Sequence, residues 1–213
     1  HVPHGHIIYE KFEDYWGEKP ALDKITVKVM IDEVTRINAL KSAQIDIAFR
    51  VPAATAQSLE GDPNLVIHED ISLLFKKMYV NTLIPPFNNK DFRLAVLHGI
   101  NREEILNAVN FGKGEPANQT FPKDYWASDE NMVIKYDPEK AKELLKQSGV
   151  ANPSFKIITQ PNAYETRLAE AVKGQMAEIG IDVEVEIMEL NVALQKFFTD
   201  RSEHSILTSW TGR

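Results

Sequence analysis

FKIITQPNAYETRLAEAVKGQMAEIGIDVEVEI, residues 155–187, decides the fold. Within it Leu168, Ala171, Val172, Gln175, Met176 and Ile179 recur at helical spacing across residues 165–179, and all but Gln175 are apolar, which marks a helix with one buried face. Gly180 follows directly, where a helix is commonly ended by a residue in the left-handed conformation. Val183, Val185 and Ile187 then alternate with Glu184, Glu186 and Met188, the period of a half-buried strand. With an apolar run starting at Phe155, the stretch reads as strand, helix, strand. Such a unit normally makes a right-handed crossover between parallel strands, whether or not other strands lie between them. The chain is therefore expected to be α/β, with mixed sheets flanked by helices.

Upstream, residues 136–149 place Asp137, Pro138 and Glu139 at a helix start, as cap, fixed first-turn φ and favourable dipole charge, with Gly149 as the end. Asn101 and Glu104 stand at the spacing of a reciprocal capping box opening a further helix, and one more is expected over residues 91–98. Earlier still the pattern becomes strand-rich. Ile25, Val27 and Val29 alternate with polar neighbours, and Asp32 caps a helix reaching Ser42. Residues 45–51 read as a buried strand, 53–59 as a short helix ending near the Gly61-Asp62-Pro63 turn, and 65–68 and 73–80 beyond it as strands.

Composition bounds what these elements do. With 213 residues, 43% of them hydrophobic and 26% charged, the chain has ordinary globular usage. A net charge of −7 with no basic cluster argues against a nucleic-acid surface. The absence of cysteine excludes disulfides, thiolate metal sites and a cysteine nucleophile. No apolar run reaches the ~18–20 residues that cross a bilayer as a helix. HVPHGHIIYE, residues 1–10, is not a charged-then-apolar export signal, so any such signal is expected outside this sequence or already removed.

Two stretches carry a resemblance: DYWGEKPALDKI at 14–25 and MYVNTLIPPFNNKDFRLAV at 78–96. With RINALKSAQIDIA (36–48), INREEI (100–105), YDPEKAKELLKQSG (136–149) and LAEAVKGQMAEIGIDVEV (168–185), in that order and spacing, the chain resembles the solute-binding proteins, family 5, of peptide-type ABC importers. Gln44 stands where relatives often carry Glu. The resemblance implies a class II periplasmic-binding-protein-like fold. Full-length relatives are more than twice as long, so the chain looks like an excised middle: residues 1–80 would be the C-terminal part of the first, large lobe, and residues 81–213 the second ligand-binding lobe, ending at the segment near the hinge. It further implies capture of peptides or similarly sized solutes, delivery to an ABC permease in the membrane, an extracytoplasmic address, either periplasmic or lipid-anchored on the outer face of the cytoplasmic membrane, a monomeric full-length state, no cofactor and no nucleic-acid partner. Some relatives carry nickel complexes, haem or sugars instead of peptides, and that alternative stays open here.

By the same resemblance, Trp210, Thr211, Gly212 and Arg213 correspond to the segment that offers main-chain groups and a neighbouring aromatic side chain to an extended peptide, a mode that tolerates many side chains. Dipeptide-binding relatives often carry, at the position of Arg213, an Asp that clamps the ligand amino group. Arg213 reverses that charge and its guanidinium fork suits a carboxylate or phosphate-like group, unless it is a solvated chain end. From the residues themselves, Tyr164 and Arg167 form a second candidate set with Gln160 and Asn162, because loops beyond strand C-termini in α/β folds are favoured ligand sites. A solvated helix-surface arginine is the competing reading of Arg167.

Other patterns read as structural. His1, His4 and His6 are the spacing of a loose metal set but also of a solvated or foreign terminus, and no metal site is assigned. Gly112-Lys113-Gly114 lacks the rest of a phosphate cradle and reads as a turn. Asn118-Gln119-Thr120 is a chance glycosylation triplet. Tyr15-Trp16 and Tyr125-Trp126 are expected in core packing or at lobe edges. No carboxylate, His98 or His204 sits in a motif linking it to a nucleophile, so no catalytic residue is expected.

Overall fold

The computed structural model describes residues 5–70, 74–119, 121, 125–129 and 131–211. The chain divides into two compact units, His1–Ser58 and Leu59–Arg213.

The first unit pairs β1 (His6–Glu10) antiparallel with β2 (Lys24–Lys28), Ile8 facing Thr26. Asp32 caps α1 (Glu33–Lys41), its carboxylate accepting from the Thr35 amide at 2.7 Å. A short helix α2 (Ala53–Leu59) runs across the division. Residues 45–51, expected as a buried strand, form none: Ile47 is 66% and Phe49 75% exposed. Residues 65–68 likewise lack strand pairing, with Val66 79% exposed. A short apolar run becomes a strand only beside a neighbour that completes its ladder. No such neighbour lies among the described residues.

The second unit is built on a four-stranded sheet in the order β3, β6, β4, β5. Its strands are β3 (Leu74–Val80), β4 (Ser154–Thr159), β5 (Asp182–Ile187) and β6 (Ser205–Thr211). β4 runs parallel to both β5 and β6, and β3 is antiparallel to β6. The crossover between β4 and β5 is α6 (Ala163–Glu178), so the expected βαβ unit forms with its two strands adjacent. Because β3 pairs with β6 along its whole length, residues 74–80 belong to this second unit, whereas the sequence reading ended the first segment at residue 80.

One face of the sheet supplies Phe155, Ile157, Val183 and Leu207 to the main core, where they meet Leu168, Val172 and Met176 of α6. The same core takes Phe92 and Val96 from α3 (Lys90–His98), Ile105 and Val109 from α4 (Arg102–Asn110) and Ala141 from α5 (Pro138–Ser148). Phe87 lies edge-on to Phe92 at 5.3 Å and to Phe155 at 4.9 Å. Gly99 lets α3 end close against α6: a Cβ there would meet Ile179 Cδ1 at 2.6 Å and oblige that side chain to shift. The other face carries a smaller cluster, in which Ile158 and Ile206 are covered by Ala193 of α7 (Leu190–Leu194) and by Phe197 in the π-helical turn Gln195–Thr199.

The helix signals hold, with one substitution of partners. Asn101 accepts from the Glu104 amide as a cap, but its own N–H is taken by Gln175 Oε1 at 2.9 Å instead of by Glu104. Gln175 Nε2 then donates to Glu104 Oε2 and to the Asn101 carbonyl, both at 3.3 Å. Gln175, a buried polar residue of α6, thus completes the cap of α4.

Candidate functional site

The carboxyl ends of β4, β5 and β6 point the same way, which brings the loop after β4, the start of α6 and the end of β6 to one edge of the sheet. Register makes this edge uneven. Ile158 pairs with Ile206 and β4 ends one residue later at Thr159, whose hydroxyl donates to the Leu207 carbonyl at 3.1 Å. β6 continues for four residues beyond that point, with Thr208, Ser209, Trp210 and Thr211 paired only to Lys77, Lys76, Phe75 and Leu74 of β3. Among the described residues no strand borders this overrun on the β4 side.

Asn162 opens α6 by accepting from the Glu165 amide at 2.8 Å, so the helix starts at Ala163. Tyr164 and Arg167 therefore stand in the first turns of the helix rather than in a loop, and the connection itself is only residues 160–162. Arg167 is exposed. Tyr164 is half-buried against the main core, and the Lys76 ammonium lies 5.2 Å from its ring centroid, within cation–π range. Burial foremost, and next the Glu165 carboxylate, push the Tyr164 hydroxyl above its ordinary range, while Arg167 works the other way, so it remains a protonated donor near neutrality.

The centre of this edge is a residue to which sequence reasoning gave no role. Glu165 is fully buried, and its Oε1 accepts from Lys76 Nζ, from Gln160 Nε2 at 3.1 Å and from the Ser209 hydroxyl at 3.3 Å. Lys76 also donates to Ser209 Oγ, closing a triangle between β3, β6 and α6. Glu165 Oε2 is buried with no hydrogen-bond partner among the described residues. The two candidate sets, around Tyr164 and around the end of β6, are thus joined through Ser209, the residue before Trp210. Lys76 had a faint signal in sequence, a lysine at a position of the strand where alternation places Met78 and Val80 in the core. Glu165 had none, because an acidic residue in a helix's first turn is ordinarily solvated.

Gly212 and Arg213 lie outside the described residues, as do His1, His4 and Thr120. Among the described residues no group of His, Asp and Glu is placed to hold a metal ion, and no helix is long and apolar enough to cross a membrane. His98 Nδ1 donates to the Lys135 carbonyl at 2.9 Å, and His204 Nδ1 accepts from the Lys156 amide at 3.2 Å, so both rings are engaged by main chain. Lys113, in the glycine-flanked turn, is bound by Glu69 at 2.8 Å and Glu60 at 3.5 Å, the first of which chiefly raises its pKa. That pairing fits a surface tether and not a phosphate cradle. Trp16 and Trp126 are 91% and 88% exposed, so neither tryptophan packs in a core, which leaves the lobe-edge half of the expectation.

Comparison with known proteins gives a consistent result. The family model for "Bacterial extracellular solute-binding proteins, family 5 Middle" matches residues 1–213. Di/tripeptide-binding protein 2 of Pseudomonas aeruginosa is 29% identical over 213 residues, the match covering 97% of this chain and 40% of that protein. Heme-binding protein A of Haemophilus influenzae is 30% identical over 183 residues, 82% of this chain and 33% of that protein. Among solved structures, the ABC transporter-associated periplasmic binding protein DppA from Helicobacter pylori, in complex with peptide STSA, superposes with a TM-score of 0.82 at 31% identity, over 98% of this chain and 41% of that one. The chain thus spans well under half the length of these relatives.

Proposed function

The chain belongs to family 5 of the bacterial extracellular solute-binding proteins, and from that premise we propose that it forms part of the solute-binding component of an ABC importer. The protein captures peptides or similarly sized solutes between two lobes and delivers them to a membrane permease, without covalent chemistry of its own. It works outside the cytoplasm as a monomer, in the periplasm or tethered by lipid to the outer face of the membrane. The first unit contributes to the first lobe and the second forms most of the second. Closure of the lobes is a population shift, driven by a ligand that contacts both lobes in one state and one lobe in the other.

The observation that carries this reading is the overrun of β6. Among the described residues, main-chain groups on the β4 side of residues 208–211 have no strand beside them, so an extended ligand can add there through main-chain hydrogen bonds, with affinity that depends little on its side chains. Trp210, Thr211, Gly212 and Arg213 then meet the ligand from the strand end, with Tyr164 and Arg167 from the start of α6. The names of the relatives support peptides first. The haem-binding relative supports, as the second reading, a non-peptide solute such as haem, a nickel complex or an oligosaccharide.

The test is a thermal-shift screen of the intact protein against di- to pentapeptides, glutathione, haem, oligosaccharides and nickel-histidine, with Arg213→Asp alongside. A saturable shift with peptides, lost or redirected towards free amino groups in the variant, is the expected result. A shift only with haem, sugar or nickel-histidine selects the second reading. No shift with any of them overturns both.

A further inference from the structure

The Glu165 cluster is more than a core requires. An ion pair drawn out of water loses hydration that its mutual attraction restores only with good geometry and satisfied hydrogen bonds, and apolar residues of similar volume are often as stable in its place. Here the carboxylate side chain is fully buried and that of Lys76 is 25% exposed. Among the described residues the load is also lopsided, three donors on Oε1 and none on the buried Oε2. A leucine at 165 would continue the apolar surface of Leu168 and Ala169 without either cost.

What the charge supplies is a fixed point for three pieces of chain: β3 through Lys76, the loop after β4 through Gln160, and the end of β6 through Ser209. Of these the end of β6 most needs fixing, since past Leu207 the described residues give it a strand on one side only and it would open first in local fluctuations. We propose that Lys76 and Glu165 are positioning residues, which act through Ser209 to hold the end of β6 in the register that meets the ligand. This rests on the reading that the β6 overrun is a ligand-binding edge. Neither residue needs to touch the ligand.

The experiment uses the intact protein with Glu165→Gln and with the double variant Glu165→Leu/Lys76→Met. The first keeps an acceptor for Ser209 and removes the charge that holds Lys76. The second restores an apolar interior and so keeps the fold. Hydrogen exchange is followed at residues 209–211 and, as control, in β5, together with affinity for whichever di- or tripeptide shifts the wild-type melt most. Positioning predicts exchange at 209–211 faster by about tenfold in both variants, β5 unchanged, and peptide affinity lower by about tenfold or more. Unchanged exchange at 209–211, exchange rising equally in β5, failure of both variants to fold, or faster exchange with undiminished affinity would each overturn the proposal. If the wild type binds no probe, it is the peptide-capture reading that fails, and the exchange pattern still decides whether the pair holds the strand end.

Discussion

The two units contain strands of similar composition with opposite fates. In the first, Ile25 and Val27 of β2 are 48% and 44% exposed, and every residue of that strand is open to solvent. In the second, Ile157 and Ile158 of β4 are fully buried, on opposite faces. The difference lies in the layers and not in the strands. β4 is followed at once by α6, which covers one face, and α7 with the π-helical turn covers the other. No described element covers the β1–β2 ribbon, and a two-stranded ribbon is marginal alone. Alternation locates a strand; what buries it must come from elsewhere in the chain.

The largest expected effect sets these regions against each other. Phe92→Ala, at the contact of α3 with Phe87 and Phe155, should lower the unfolding free energy of the 213-residue chain by about 3–5 kcal/mol, read by denaturant titration. Val27→Ala in the ribbon should stay within about 0.5 kcal/mol, since it removes little that is buried. Comparable losses at both positions would mean that the ribbon is packed in solution and the contrast is false.

A smaller effect probes how the second unit ties its helices together. Gln175→Leu keeps the packing of α6 but leaves the Asn101 amide and Glu104 without their partner, and should cost about 1–3 kcal/mol, with loosening first seen in amide exchange at the start of α4. If the leucine is neutral, Glu104 can take the Asn101 amide and close the reciprocal box that the spacing of the two residues suggests.

That mismatch shows what sequence carries and what it does not. Signals that act within a turn of the chain were readable: Asn101 and Asp137 as caps, Gly149 at a φ of 65° as a helix end, and the whole βαβ unit. Contacts over long separations were not. Gln175 sits 74 residues from the amide it satisfies, and Lys76 lies 89 residues from Glu165. The same limit explains the failed strands, since residues 45–51 have the composition of a strand and lack, among the described residues, the neighbour that would make them one. The candidate site was half legible. Tyr164 and the end of β6 were singled out separately, and the buried charge that joins them shows only once β3, β6 and α6 are assembled. Family resemblance supplied the role of the strand end, which no local pattern could.

The smallest effect concerns a helix of the first unit and sharpens the contrast from the side of pH. Asp32 is fully exposed, yet its hydrogen bonds from the Thr35 hydroxyl and amide, with Arg36 adding a lesser attraction, hold its carboxyl below the usual carboxylate range. A folded pKa below the unfolded value means that the capped state binds protons less readily, so its contribution to α1 is complete above about pH 4 and is lost as pH falls through the folded value. The Thr35 amide resonance followed on acidification should therefore move with a midpoint below that of an unstructured aspartate, and α1 should fray there while the sheet of the second unit keeps its exchange protection. Asp32→Asn, which keeps an acceptor without the titration, should abolish the step. A midpoint at the ordinary value would show that the Thr35 hydrogen bonds do not hold Asp32 in solution, and a step shared by β4 and β5 would show that the two units do not open independently. The contrast between an uncovered ribbon with a locally capped helix and a sheet buried on both faces would then have to be given up.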